Sequence, residues 1–225
     1  MKWLFKWLFR LFALAVVLVV ILLLSLNSIL RVVIENRIHA QTGMDAEIGK
    51  FSLSLVEPTV EIQNLRLFNP PDFGGTPFLN IPEIHAEYDR PALARHDIHI
   101  TLMRFNLGEL DIVKNEAGQT NIFALGVTLP TRAAKGGGGA ARFKRQTGYD
   151  FKSIDVLNVS IGTVKFIDLK DQRHNREQTI GIQNLVLKNV KSETDLAGLA
   201  VLMALRGGDF FGSLLAPPGP GAAGN

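Results

Sequence analysis

Twenty consecutive residues, Leu11 to Leu30 (LFALAVVLVVILLLSLNSIL), carry no charge. At helical rise such a run spans about 30 Å, the thickness of a bilayer's hydrocarbon layer. With no polar face, it does not suit the surface of a globular domain. The sequence therefore predicts a single membrane crossing. Ahead of it, MKWLFKWLFR sets Lys2, Lys6 and Arg10 on one helical face and Trp3 with Trp7 on the next. That collar of cations and aromatics suits lipid headgroups and keeps the N-terminus cytoplasmic. A cleaved signal peptide would start in the same way. Here the apolar run exceeds a normal signal core, and Ser25-Leu26-Asn27 through Arg31 offers no small-x-small cleavage site. The expected anchor is uncleaved, with residues 1–42 forming the cytoplasmic end and the crossing.

Beyond the anchor, RVVIENRIHAQTG extends the helix to Gly43, a residue suited to a helix C-terminus. From there the hydrophobic period becomes alternating. In PTVEIQNLRLF, Val60 and Ile62 share one face, and Leu65 with Leu67 resume out of phase, which predicts a strand with a bulge near Gln63-Asn64. Further strands are predicted at 81–88, 98–102, 105–113, 151–161, 163–169 and 179–188. Turn signals such as Asn69-Pro70-Pro71, Gly74-Gly75 and Glu116-Ala117-Gly118 separate several of them. Short strands joined by turns favour an antiparallel meander over a βαβ fold.

The pattern repeats internally. EIQNLRLFN (61–69) recurs as GIQNLVLKN (181–189) with six of nine positions identical, and GELDIVKN from Gly108 is loosely echoed by GTVKFIDLKD from Gly162. The expected architecture is mostly β: the transmembrane helix, then a curved antiparallel sheet of two related units over residues 43–190. Between the units, the low-complexity stretch at about 130–148 reads as a hairpin loop or linker. Residues 191–225 are expected to hold a short apolar helix, Asp195 to Arg206, capped by Ser192 or Thr194, and a disordered tail.

These residues resemble a known family. The anchor, the run TGMDAEIGKFSLSLVEPTVEIQNLRLFNP, the strand followed by KNEAGQTNIFAL, and the later IDVLNVSIGTVKFIDLKDQ with TIGIQNLVL look like the N-terminal region of AsmA-like proteins of the bacterial cell envelope. The likeness covers roughly residues 10–190 and rests on strand and turn patterns. It implies a bacterial inner-membrane anchor, a periplasmic β domain with an apolar concave face, and a part in envelope or lipid homeostasis. Larger relatives are thought to carry lipid along a hydrophobic groove. This chain is short for that task, since some eight strands at about 4.8 Å spacing extend about 40 Å.

Chemistry-bearing motifs are scarce. The sequence has no GxSxG elbow, GxxxxGK[ST] phosphate loop or HExxH helix, so an enzyme is not expected. With no cysteine, disulfides, thiolate catalysis and cysteine-ligated metals are excluded, and no cofactor is expected. The formal net charge of +3 is small and its carriers are scattered, which disfavours nucleic acid. Glu83, His85 and Glu87 alternate on one strand face, a pattern that fits a cation site but fits a solvated strand surface better. His96 and His99 read as a turn and a strand surface. Arg132, Lys135, Arg142, Lys144 and Arg145 form a basic segment suited to headgroups or an acidic partner, but one that fits a solvated loop better. Val60, Ile62, Ile98, Ile100, Ile154 and Val156 are the expected lining of an apolar groove. The leading expectation is a structural or accessory subunit whose β domain docks on integral membrane proteins. Lipid binding or transfer in the groove is the alternative.

Overall fold

The computed structural model describes residues 25–40, 42–54, 56–124, 144–145, 147–196 and 199. The collar and most of the uncharged run lie outside these residues, as do Arg132, Lys135, Arg142 and nearly all of the expected C-terminal helix. Among the described residues, no helix is long and apolar enough to cross a membrane.

A helix, α1, runs over residues 25–40. It ends where the sequence predicts: the amide of Gly43 donates to the carbonyl of His39 at 2.8 Å, and Gly43 takes a left-handed φ of 69°. Among the described residues six strands follow: β1 (Asp45–Ser54), β2 (Thr59–Phe68), β3 (Pro77–Tyr88), β4 (Asp97–Lys114), β5 (Asp150–Asp168) and β6 (Arg176–Val190). They form one sheet in chain order. Among the described residues, short helices flank β4, α2 (Arg90–Ala94) before it and α3 (Asn121–Ala124) after it. The fold is mostly β, as expected.

Three expectations need correction. The sheet is mixed, because β4 and β5 pair in parallel from Asp97 beside Asp150 to Lys114 beside Asp168. A parallel neighbour must start at the end where its predecessor started, so residues 115–149 are a crossover connection and the 130–148 stretch is no hairpin loop. The strands predicted at 98–102 and 105–113 are one strand, as are those at 151–161 and 163–169. Finally, β1 was not among the predicted strands.

A seam across the sheet coincides with the misread break between 161 and 163. On every strand the core-packed apolar residues change parity at nearly the same level. Ile48 gives way to Phe51, Ile62 to Leu65, Ile81 to Ile84, Leu107 to Leu110, Ile161 to Val164 and Ile182 to Leu185. At the seam stand Gly49, Asn64, Pro82, Gly108, Gly162 and Asn184. Asn64 and Asn184, the matching positions of the internal repeat, both adopt left-handed φ angles, 53° and 50°. Asparagine tolerates that region better than any other residue with a side chain except aspartate. On β2 the predicted bulge is absent: pairing runs unshifted past Asn64 on both sides, because β1 and β3 bend at the same level. In the β5–β6 ladder true register shifts flank Ile161 of β5. The apolar side chains therefore stay on one face on both sides of the seam. The matched segments fall on β2, β6 and the adjacent β4 and β5, so the repeat marks the seam of one sheet.

A second change of parity follows near the strand ends. Asn189 is left-handed at 56°, and beyond it Val190 returns to the core, with Ile154 beside it.

Candidate functional site: the helix-bound end of the sheet

The edge strand β1 leaves backbone amides without a strand partner on its outer side, and α1 supplies the acceptors. Glu35 Oε1 accepts from the Ile48 amide at 2.8 Å, and Asn27 Oδ1 accepts from the Leu53 amide at 3.0 Å. Residues eight apart lie on one face of an α-helix, so a single face of α1 closes the sheet edge. Ile34, on the same side, packs against the cluster of Ile48, Leu65 and Ile81. The opposite side of α1 exposes Ile29, Val32 and Val33, at 51%, 47% and 55%. Because Glu35 meets Ile48 and Asn27 meets Leu53, α1 runs antiparallel to β1. Residues 25–30, the described part of the uncharged run, thus lie toward the end of the sheet where β1 finishes.

That end is built from the β1–β2 turn, α2 and the starts of β4 and β5. Asp89 caps α2 by accepting from the Ala92 amide at 3.2 Å, and Pro91 takes a first-turn position where no helical amide is needed. The Arg90 guanidinium donates to the Val56 carbonyl at 2.6 Å and ties α2 to the turn. Val56 is 85% exposed and Leu93 37%. Along α2, Pro91, Leu93 and Ala94 are exposed between Arg90 and Arg95, which are also exposed.

A cleft of about 670 Å³ opens between α1 and the sheet, lined by Arg31, Glu35, Glu47, Gly49, Asn64 and Arg66 among others. Glu47 pairs with Arg66 at 2.7 Å, and Glu35 is held by the Ile48 amide. The Arg31 Nε is buried without a partner. This is a polar cleft with mixed charge.

His99, expected only as a strand surface, is set among the described residues between two carboxylates. His99 lies between Asp155, whose oxygens are 2.9 and 3.0 Å from Nε2, and Asp89, 3.4 Å from Nδ1. The hydrogen bond to Asp155 and then that to Asp89 hold its pKa above the usual histidine value. His96 lies just before β4 with a φ of 63°, its ring 5.2 Å from that of Tyr149. Glu83 is engaged by Arg104, and His85 lies 3.5 Å from Glu87. Among the described residues, no group of three or more ligating side chains is placed to hold a metal ion.

At the far end of the sheet, the KNEAGQTNIF segment organises a buried polar knot. Asn121 is fully buried. Its Oδ1 accepts from the amides of Val113 and Ile122, and its Nδ2 donates to Asn69 Oδ1 and the Asp111 carbonyl. Asp111 itself is buried with Oδ1 unpartnered, and burial pushes its carboxyl up to about 6.

Of the expected groove residues, Val60 stands beside Leu53 and Ala86, and Ile62 beside Phe51 and Ile84. Ile98 pairs with Phe151, and Ile100 with Ile154. Val156 stands between Leu102 and Lys188, on the opposite face from its buried neighbour Leu157, so the six do not share one face. Of the basic segment, Lys144 pairs with Asp150 at 3.2 Å and Arg145 is exposed. No family model, curated protein or solved structure matches the chain.

Proposed function

We propose that this is a non-enzymatic, single-pass protein of the bacterial inner membrane, whose β domain lies on the periplasmic side and serves as a structural or accessory subunit of a membrane complex. The observation that carries the reading is the union of α1 with β1. A domain that needed only to be kept near a membrane could hang from a loose tether. Here Asn27 and Glu35 fix the sheet edge to the helix, so the position of the helix sets the orientation of the sheet. On its outer side the same helix offers Ile29, Val32 and Val33 where the crossing ends, a stripe suited to a neighbouring membrane helix. The uncharged run and its cationic collar supply the crossing, and the resemblance to AsmA-like proteins supports the compartment. Extraction of native membranes in mild detergent should recover the chain with stoichiometric integral membrane partners. A monomer that co-elutes with no other protein would overturn the accessory role.

A second reading, lipid binding, is favoured by the apolar face. The rows Phe51–Ile62–Ile84–Phe105 and Leu53–Val60–Ala86–Met103 are only partly buried. A partly exposed apolar face of this kind is the chemistry that acyl chains would need. Native mass spectrometry of the extracted protein should then detect bound phospholipid. Protein free of lipid across mild extraction conditions would remove this reading.

A further inference from the structure

We infer that the end of the sheet formed by the β1–β2 turn and α2 rests in the headgroup layer of the bilayer, a second membrane contact beside the crossing. The inference builds on the anchor reading and adds a lipid-facing role for residues outside the helix. Three observations converge on it. First, level: Asn27, which bonds Leu53, belongs to the uncharged run, and Val56 lies three residues farther along the chain toward the same end. The turn therefore stands beside residues that the crossing places at the edge of the hydrocarbon. Second, chemistry: Val56 exposes an apolar side chain almost fully, at 85%. Third, pattern: α2 exposes Pro91, Leu93 and Ala94 between two exposed arginines, Arg90 and Arg95. An apolar centre with guanidinium at both ends places the stems and apolar tips below the phosphates and the charges among them.

The occupant is lipid. Val56 and Leu93 are two tips separated by a charged side chain, Arg90, whose guanidinium holds the Val56 carbonyl. They make no continuous patch of the kind a protein partner requires. Held at two places, the sheet would stand at a fixed tilt to the membrane, with its far end about 60 Å away by the length of β4.

The absence of native cysteine makes the test direct. Full-length single-cysteine variants V56C, L93C, I29C and E116C are labelled with an environment-sensitive dye. Each is reconstituted in vesicles of phosphatidylcholine and phosphatidylglycerol carrying a headgroup nitroxide. The expected result is blue-shifted emission and several-fold stronger quenching at positions 56 and 93 than at 116, with position 29 also quenched. Quenching at 29 with positions 56 and 93 as bright as 116 would overturn the second contact and leave the anchor standing. Loss of quenching at 29 as well would overturn the anchor reading and this inference with it.

Discussion

Gly108 and Gly162 face one another across the parallel ladder of β4 and β5, so closely that a Cβ on Gly162 would collide with the Gly108 carbonyl oxygen. Backbone cannot retreat from such a contact without breaking the ladder on either side. Gly162→Ala is therefore expected to destabilise the domain by about 2–4 kcal/mol, in the range of an overpacked core site. Gly108→Ala meets the Pro82 ring at 3.2 Å and the Asn80 carbonyl oxygen at an ordinary 3.5 Å, and should cost less. Chemical denaturation of the two variants under identical conditions gives the comparison. Equal stability of both with the parent would mean that the seam is not closely packed.

The seam also explains what the sequence disclosed and what it concealed. The repeated Gln-Asn pair was legible, and so was the change of phase beside Asn64, because a two-residue period breaks visibly when one residue turns left-handed. The same break hid β1. Ile48 and Phe51 are three apart, and Gly49 between them interrupts the alternation that marks a strand. In β4, the shift between Leu102 and Phe105 read as the end of one strand and the start of another. The parallel pairing was not legible at all. It depends on where residues 115–149 return the chain, and no local pattern in them states a direction. Without that register, Asp155 could not be placed beside His99, 56 residues earlier. The helix contact was partly legible: Gly43 marked the end of α1, but nothing local pairs Glu35 or Asn27 with a strand amide.

Asn121 uses both of its acceptor sites and both of its donor hydrogens within the protein while fully buried. Removing such a group leaves its partners unsatisfied, and Asn69 is itself buried. Asn121→Ala should cost about 2–4 kcal/mol. Asn121→Asp should be worse at neutral pH, since a carboxylate oxygen would replace the amide nitrogen against Asn69 Oδ1 and the Asp111 carbonyl. Denaturation midpoints of the two variants decide the order, and a more stable aspartate variant would contradict the assigned amide orientation.

Asp111 is paired across the ladder with Lys165, but Lys165 is already held by Glu109 at 2.6 Å, and Glu177 stands on its other side. One ammonium thus serves three carboxylates, and Asp111, the buried one, is raised to about 6. An acid whose folded value lies above its unfolded value of 3.8 weakens the fold as it ionises. The penalty is absent below about pH 4, grows through about pH 6 and stays constant above. Asp111→Asn should therefore stabilise the domain by about 1–3 kcal/mol at pH 7.5 and by nothing at pH 3.5. Unfolding curves at the two pH values test the sign, and destabilisation at pH 7.5 would refute it.

His99 predicts the opposite slope. As imidazolium it donates from Nε2 to Asp155 and from Nδ1 to Asp89, and both bonds favour the charged form. A histidine whose folded value is raised contributes its full stabilisation below the unfolded value near 6.5. It loses that contribution as pH rises through the folded value. At 28% side-chain exposure the effect is modest, about 0.2–1 kcal/mol. His99→Gln keeps hydrogen-bonding groups without the charge, so it should lower stability at pH 6 and match the parent at pH 9. If the variant and the parent differed equally at both values, the role of His99 would be packing and the two carboxylates would be incidental to it.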